Sequence, residues 1–158
     1  MILVYENLLT QAETESVKVS EKDMPSTVKG LYCNKTVWLN SRIQTNAEKS
    51  CTLAEELGHH HTSAGNILDQ KKLSNRKQEQ RAMWWAYEKL VPLEGIISAH
   101  KSGVGNRNEL AEYLGITEDF LESALNRYQE KYGLYATVDN YSIRFDSLGV
   151  LEMFNGGE

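Results

Sequence analysis

Two adjacent carboxylates stand just ahead of three adjacent histidines in the stretch Cys51-Thr52-Leu53-Ala54-Glu55-Glu56-Leu57-Gly58-His59-His60-His61. On an α-helix, residues four apart project from one face, so Glu55 and His59 point the same way. Glu56 lies one step round and still reaches a ligand held by that pair. This is the geometry of the His-Glu-x-x-His helix, whose two histidines hold zinc while the glutamate works as general base. Here a glutamate, Glu55, takes the place of the first histidine. Glu56 and His60 are also four apart, so a pair shifted by one residue is a second way to build the same face.

A hydrolytic metal site needs about three protein ligands and one open position for water. The helix of residues 51–61 offers Glu55 and His59, so a third donor has to come from a neighbouring element. Glu79 is the candidate. It opens the run Glu79-Gln80-Arg81-Ala82, in which Ala82 is small enough to let two helices approach closely.

The elements around these residues are legible in part. Thr45-x-x-Glu48 has the form of a capping box, in which the hydroxyl accepts the Glu48 amide and the carboxylate reaches back. Ala47, Cys51, Ala54, Leu57 and Gly58 recur at helical spacing, which predicts a helix over 46–63, with Gly65 as its terminator. Asn66 to Ser74 read as a connector. Ser74 is expected to cap a second long helix ending near Leu90, ahead of Pro92, with Ala82, Trp85, Ala86, Lys89 and Leu90 as its inner face. A shorter helix follows over 93–101. Asn106-x-x-Glu109 and Thr117 cap two more, closed by Gly115 and Gly133.

Towards the N-terminus, residues 5–28 are polar and predict a short helix followed by an irregular segment through Pro25. Leu31-Tyr32-Cys33 and Thr36-Val37-Trp38-Leu39 flank Asn34-Lys35, a hairpin signal because Asn tolerates positive φ. A second hairpin is expected from Leu134–Val138 and Tyr141–Phe145 around Asp139-Asn140, with a frayed tail after it. The fold class is α+β with helices dominant.

With 158 residues, 41% hydrophobic and 25% charged, the chain suits one core-forming domain. That domain is expected to span 1–158, with an N-terminal segment and hairpin (1–44), the metal-site helices (45–92), and accessory helices with a terminal hairpin (93–158). A net charge of −5 argues against nucleic acid as the main partner, since phosphate binding leaves a basic surplus. The opening Met1-Ile2-Leu3-Val4 is too short for a signal-peptide core and no run reaches membrane-spanning length, so a cytoplasmic location is expected. Cys33 and Cys51 then read as buried free thiols.

Three stretches together carry a family resemblance. They are Lys29-Gly30-Leu31-Tyr32 with Val37-Trp38-Leu39-Asn40, then Leu53 through His59, then Lys77-Gln78-Glu79 with Ala86 through Pro92. In order and spacing they resemble the ImmA/IrrE family of compact zinc metallopeptidases, especially its prophage-encoded branch. The resemblance implies Glu56 as the catalytic glutamate, His59 as the second zinc histidine and Glu79 as the acidic residue completing the site. Glu55 stands where the family has its first histidine. A Glu55–His59–Glu79 set is chemically competent for Zn²⁺, and its oxygen-rich character makes Mn²⁺ or Fe²⁺ more competitive. The family implies cleavage or inactivation of a helix-turn-helix repressor encoded by a mobile element. The alternative is a non-catalytic relative that binds a repressor or other regulatory protein without hydrolysis.

Other residues receive plainer readings. His60 and His61 read as surface or packing histidines, and Trp84-Trp85 as core rather than a base-stacking platform. His100 and Tyr87 are the candidates for an oxyanion donor. Asn108 to Arg127 resembles a helix-turn-helix, but Glu118, Asp119 and Glu122 would face phosphates, so no direct contact with nucleic acid is expected.

Overall fold

The computed structural model describes residues 4–62 and 72–153. The predicted stop at Gly65, most of the connector after it and the predicted frayed tail lie outside the described residues. The described chain is α+β, mostly helical, and divides into two compact units, one running to Leu90 and the other beginning at Val91.

The first unit holds α1 (Val4–Thr14), β1 (Lys18–Lys22), β2 (Gly30–Cys33), β3 (Thr36–Asn40), α2 (Asn46–Thr62) and α3 (Lys72–Leu90). The three strands form one sheet in the order β1-β3-β2. The predicted hairpin is present: β2 pairs antiparallel with β3, and Asn34 and Lys35 both have positive φ, 46° and 57°. Such a turn matches the right-handed twist of the strands it joins. β1 corrects the expectation of an irregular segment. It pairs in parallel with β3, from Lys18 opposite Thr36 to Lys22 opposite Asn40. Its residues, Lys-Val-Ser-Glu-Lys, are half-buried or exposed, so no apolar alternation announced an edge strand there.

Asn40 fixes the loop that leads into β2. The side chain is 2% exposed, and its amide nitrogen faces the carbonyls of Met24, Pro25 and Val28 at 3.1, 3.1 and 2.7 Å. Its oxygen accepts from the amides of Met24 and Arg42 at 3.3 and 3.0 Å. A buried amide so fully engaged satisfies loop backbone groups that water cannot reach.

α2 forms where its pattern predicts. Thr45 accepts the Glu48 amide at 3.2 Å, but the Glu48 carboxylate pairs with Lys29 at 2.7 Å, so only half of the capping box reads out as expected. Cys51, Leu53, Ala54, Leu57 and Gly58 are buried, and Ala47 is half-buried. Cys33, by contrast, is an exposed free thiol, correcting the expectation of two buried ones. α3 begins at Lys72, so Ser74 lies inside the helix and not at its cap. Its buried face is Gln78, Ala82, Ala86, Tyr87 and Leu90, with Trp85 half-buried and Lys89 exposed.

The second unit holds α4 (Leu93–Lys101), α5 (Arg107–Leu114), α6 (Glu118–Tyr132) and an antiparallel sheet of β4 (Tyr135–Val138), β5 (Tyr141–Arg144) and β6 (Gly149–Glu152). The predicted caps are present: Asn106 accepts the Glu109 amide at 2.8 Å and Thr117 the Phe120 amide at 3.1 Å. Gly115 closes α5 at φ 71°. The predicted hairpin gains a third strand, β6, which lies beyond the alternating pattern that marked the first two. Leu110, Leu121, Leu125, Tyr128, Ile143 and Phe145 form the core. The Tyr128 hydroxyl donates to the Val91 carbonyl at 2.7 Å.

Candidate active site

The site begins with how closely α2 and α3 approach. A Cβ placed on Gly58 would stand 2.3 Å from the Ala82 carbonyl oxygen, a distance no side chain tolerates. Glycine at 58 and alanine at 82 therefore let the two backbones come together. One residue further along α2, His59 meets Glu79 from α3, Nε2 to Oε1 at 3.3 Å. His59 is 15% exposed at its side chain and Glu79 65%, so the pair closes at the edge of the helix interface.

Glu55 and Glu56 are half-buried on α2, and burial pushes both carboxyls up to about 7. Removing a carboxylate from water disfavours its charged form. Lys29 pulls Glu55 back down while Glu79 pushes it up. Glu56 is raised further by Glu55 and by Glu79. The carboxyls therefore sense one another across the helix pair, and Lys29 offsets Glu55.

β2 lies over this face. A Cβ at Gly30 would stand 2.8 Å from the Thr52 methyl and 3.2 Å from the Glu56 Cγ. Any larger residue at 30 would press on the proposed base. Two residues along β2, the Tyr32 hydroxyl lies 2.7 Å from His60 Nδ1. His61 turns elsewhere: it stacks on Trp85 of α3, with centroids 4.5 Å apart at 13°, and pairs with Glu15, just past the end of α1. The three consecutive histidines thus reach α3, β2 and the turn after α1.

The chain brings His59 and Glu79 into contact and holds Glu55 and Glu56 on the adjoining turn of α2. Among the described residues, no three His, Cys, Asp or Glu side chains form a group closed enough to hold a metal ion. The donor chemistry nonetheless fits a divalent cation. An imidazole facing a carboxylate, beside two carboxyls held up by burial and mutual repulsion, is a cluster a cation would neutralise. Of the proposed oxyanion donors, Tyr87 is buried on α3. His100 belongs to the second unit, where it lines a cavity of about 390 Å³ with Ile96, Val104, Leu110 and Val150.

Sequence reasoning passed over Tyr32, Gly30 and Lys29 as parts of the site. The period-2 alternation of β2 was the available signal, since it places residues 30 and 32 on one face. Which face covers α2 is a tertiary fact.

No described helix is long and apolar enough to cross a membrane. No curated protein matches the chain. The family model for the IrrE N-terminal-like domain, of the M78 peptidases, matches residues 12–126, a stretch that includes every residue named in this subsection except Val150. That family is one of metal-dependent peptidases, and the chain belongs to it.

Proposed function

We propose that this protein is a metal-dependent endopeptidase in which His59 and Glu79, with Glu55, hold the metal and Glu56 is the general base. The observation that carries this reading is the His59–Glu79 contact beside two carboxyls raised to about 7. Such a pair of raised carboxyls costs folding energy, and cation binding would recover it. Zinc is the metal the family suggests, with Mn²⁺ or Fe²⁺ favoured more than usual by the oxygen-rich donor set.

The bound cation would supply Lewis acidity, which polarises the scissile carbonyl and acidifies a water. The chain supplies the rest. Glu56 takes the water's proton and afterwards gives it to the leaving amine nitrogen. Burial raises the Glu56 carboxyl in the metal-free protein, which makes it a stronger proton acceptor than a solvated carboxylate.

β2 supports a peptide as substrate. Just ahead of β2, the Lys29 carbonyl accepts from the Asn40 amide at 2.8 Å, and the register continues with Gly30 opposite Leu39. Antiparallel pairs alternate, so the backbone groups of Gly30 and Tyr32 face away from β3. An extended peptide laid along that edge would run past Glu56. The protein target we favour is a helix-turn-helix repressor of a mobile element, on the strength of the resemblance to the prophage branch.

One observation favours a second reading, a binder that does not hydrolyse. A Glu55 carboxyl raised to about 7 is partly protonated at neutral pH, and a protonated carboxyl does not bind metal. Metal content of the purified protein separates the two. About one metal per chain, lost in Glu55→Ala and in His59→Ala, is expected of the peptidase. No metal at saturating supply would leave the binder. Glu56→Gln should keep the metal and abolish cleavage of a helix-turn-helix repressor that the wild type cleaves; continued cleavage would remove Glu56 as base.

A further inference from the structure

We propose that Tyr32 is the donor that stabilises the oxyanion during peptide hydrolysis and that His60 positions it. This rests on the peptidase reading. The placement follows from a match between strand and helix. Two residues of strand span about 6.7 Å and four residues of helix about 6 Å, so β2 and α2 run in step. Gly30 covers Thr52 and Glu56, and Tyr32, next on the same face of β2, meets His60, four residues past Glu56. Glu56 and His60 share one face of α2. The Tyr32 hydroxyl is thus held one helical turn from the base, on the strand whose open edge would carry the substrate.

The hydrogen-bond inventory decides what the pair can do. A phenol has one proton to donate and lone pairs to accept with. The proposal assigns the proton of His60 to Nδ1, so that the imidazole donates to the phenol oxygen across 2.7 Å. The phenol proton is then free to point at a developing oxyanion, and the imidazole donation makes it a stronger donor. The T-shaped packing of the rings, centroids 5.6 Å apart at 66°, keeps the hydroxyl in place. A preorganised donor of this kind lowers the barrier because no reorientation is needed as charge develops.

The step balances without consuming Tyr32. The water oxygen bonds to the carbonyl carbon while its proton passes to Glu56, and the carbonyl electron pair moves onto oxygen. Tyr32 donates to that oxygen and keeps its proton. When the pair returns, the C–N bond breaks and Glu56 protonates the amine.

The test uses the zinc-supplemented protein and two uncleavable probes. One is the phosphinic pseudopeptide of Ac-Ala-Leu-Leu-Ala-NH2, with a tetrahedral phosphorus anion at the central bond. The other is its reduced-amide counterpart, which has no oxygen there. Calorimetry should show Tyr32→Phe binding the phosphinic probe about 100-fold more weakly than wild type, with the reduced amide changed less than about twofold. His60→Ala should lose the same affinity. His60→Asn, whose side-chain amide can donate in place of Nδ1–H, should regain most of it. The double variant should be no weaker than Tyr32→Phe alone. Equal weakening of both probes, or no change in phosphinic binding, overturns the proposal and leaves the peptidase reading standing. Wild-type protein that binds neither probe with zinc or manganese overturns both.

Discussion

The two units solve the burial of polar groups differently. In the second, the hydroxyl of Tyr128 is buried against a carbonyl, and the ion pairs Arg107–Glu122, Arg127–Glu130 and Arg144–Asp146 stay on partly or largely exposed side chains. Phe120, Leu121, Leu125 and Tyr128 fill its helix face. In the first, α2 and α3 meet through Gly58 and Ala82, and the space beside that contact holds Glu55, Glu56, His59 and Glu79. Large apolar side chains maximise transfer energy, whereas small ones bring backbones close enough to converge polar groups from two helices. The contrast separates a helix face filled by large apolar side chains from a close helix contact beside half-buried carboxyls that burial raises.

The sharpest way to break this contrast is Gly58→Ala. The new methyl would meet the Ala82 backbone, which has no flexible end to move, so a loss of about 3 kcal/mol is expected in denaturant melts. Metal affinity should fall with it as His59 and Glu79 separate. Unchanged stability would show that the helices do not depend on the glycine contact. Asn40→Ala should cost about 2–4 kcal/mol, since it strips partners from the backbone groups of residues 24, 25, 28 and 42. Protease cleavage within 23–29 should accelerate in parallel.

The pH dependence of the metal-free protein sharpens the contrast next. Glu55 and Glu56 have folded pKa values raised from 4.5 to about 7, so the folded state binds more protons than the unfolded one in that window. Their contribution is fully present below about 4.5 and is lost as pH rises through about 7, at up to about 1.4 kcal/mol per pH unit for each proton. Chemical denaturation across pH 4.5–8 should show this decline, and Glu55→Gln with Glu56→Gln should flatten it. A stability that rises over the window in wild type would contradict the burial of these carboxyls. The smallest effect belongs to the second unit: Arg127→Ala removes an exposed pair and should change stability by less than about 0.5 kcal/mol.

Local chemistry made much of this molecule legible. The turn at Asn34-Lys35, the caps at Asn106 and Thr117 and the stop at Gly115 depend on a few adjacent residues, and each forms as its sequence indicates. The edge strands β1 and β6 escaped because they carry little apolar alternation; pairing partners elsewhere in the chain define them. The site divides in the same way. Spacing alone places Glu55 and His59 on one face of α2 with Glu56 one step round, whereas the need for a third donor and the family resemblance single out Glu79.

That Glu79 meets His59 required α3 to pack against α2 at Gly58. That Tyr32 meets His60 required β2 to lie along α2 with residues 30 and 32 turned inward. Helical periodicity is a property of neighbours in the chain, so the sequence determined which residues share a face. Which faces meet depends on the burial available to the whole unit, and only the tertiary structure decided it.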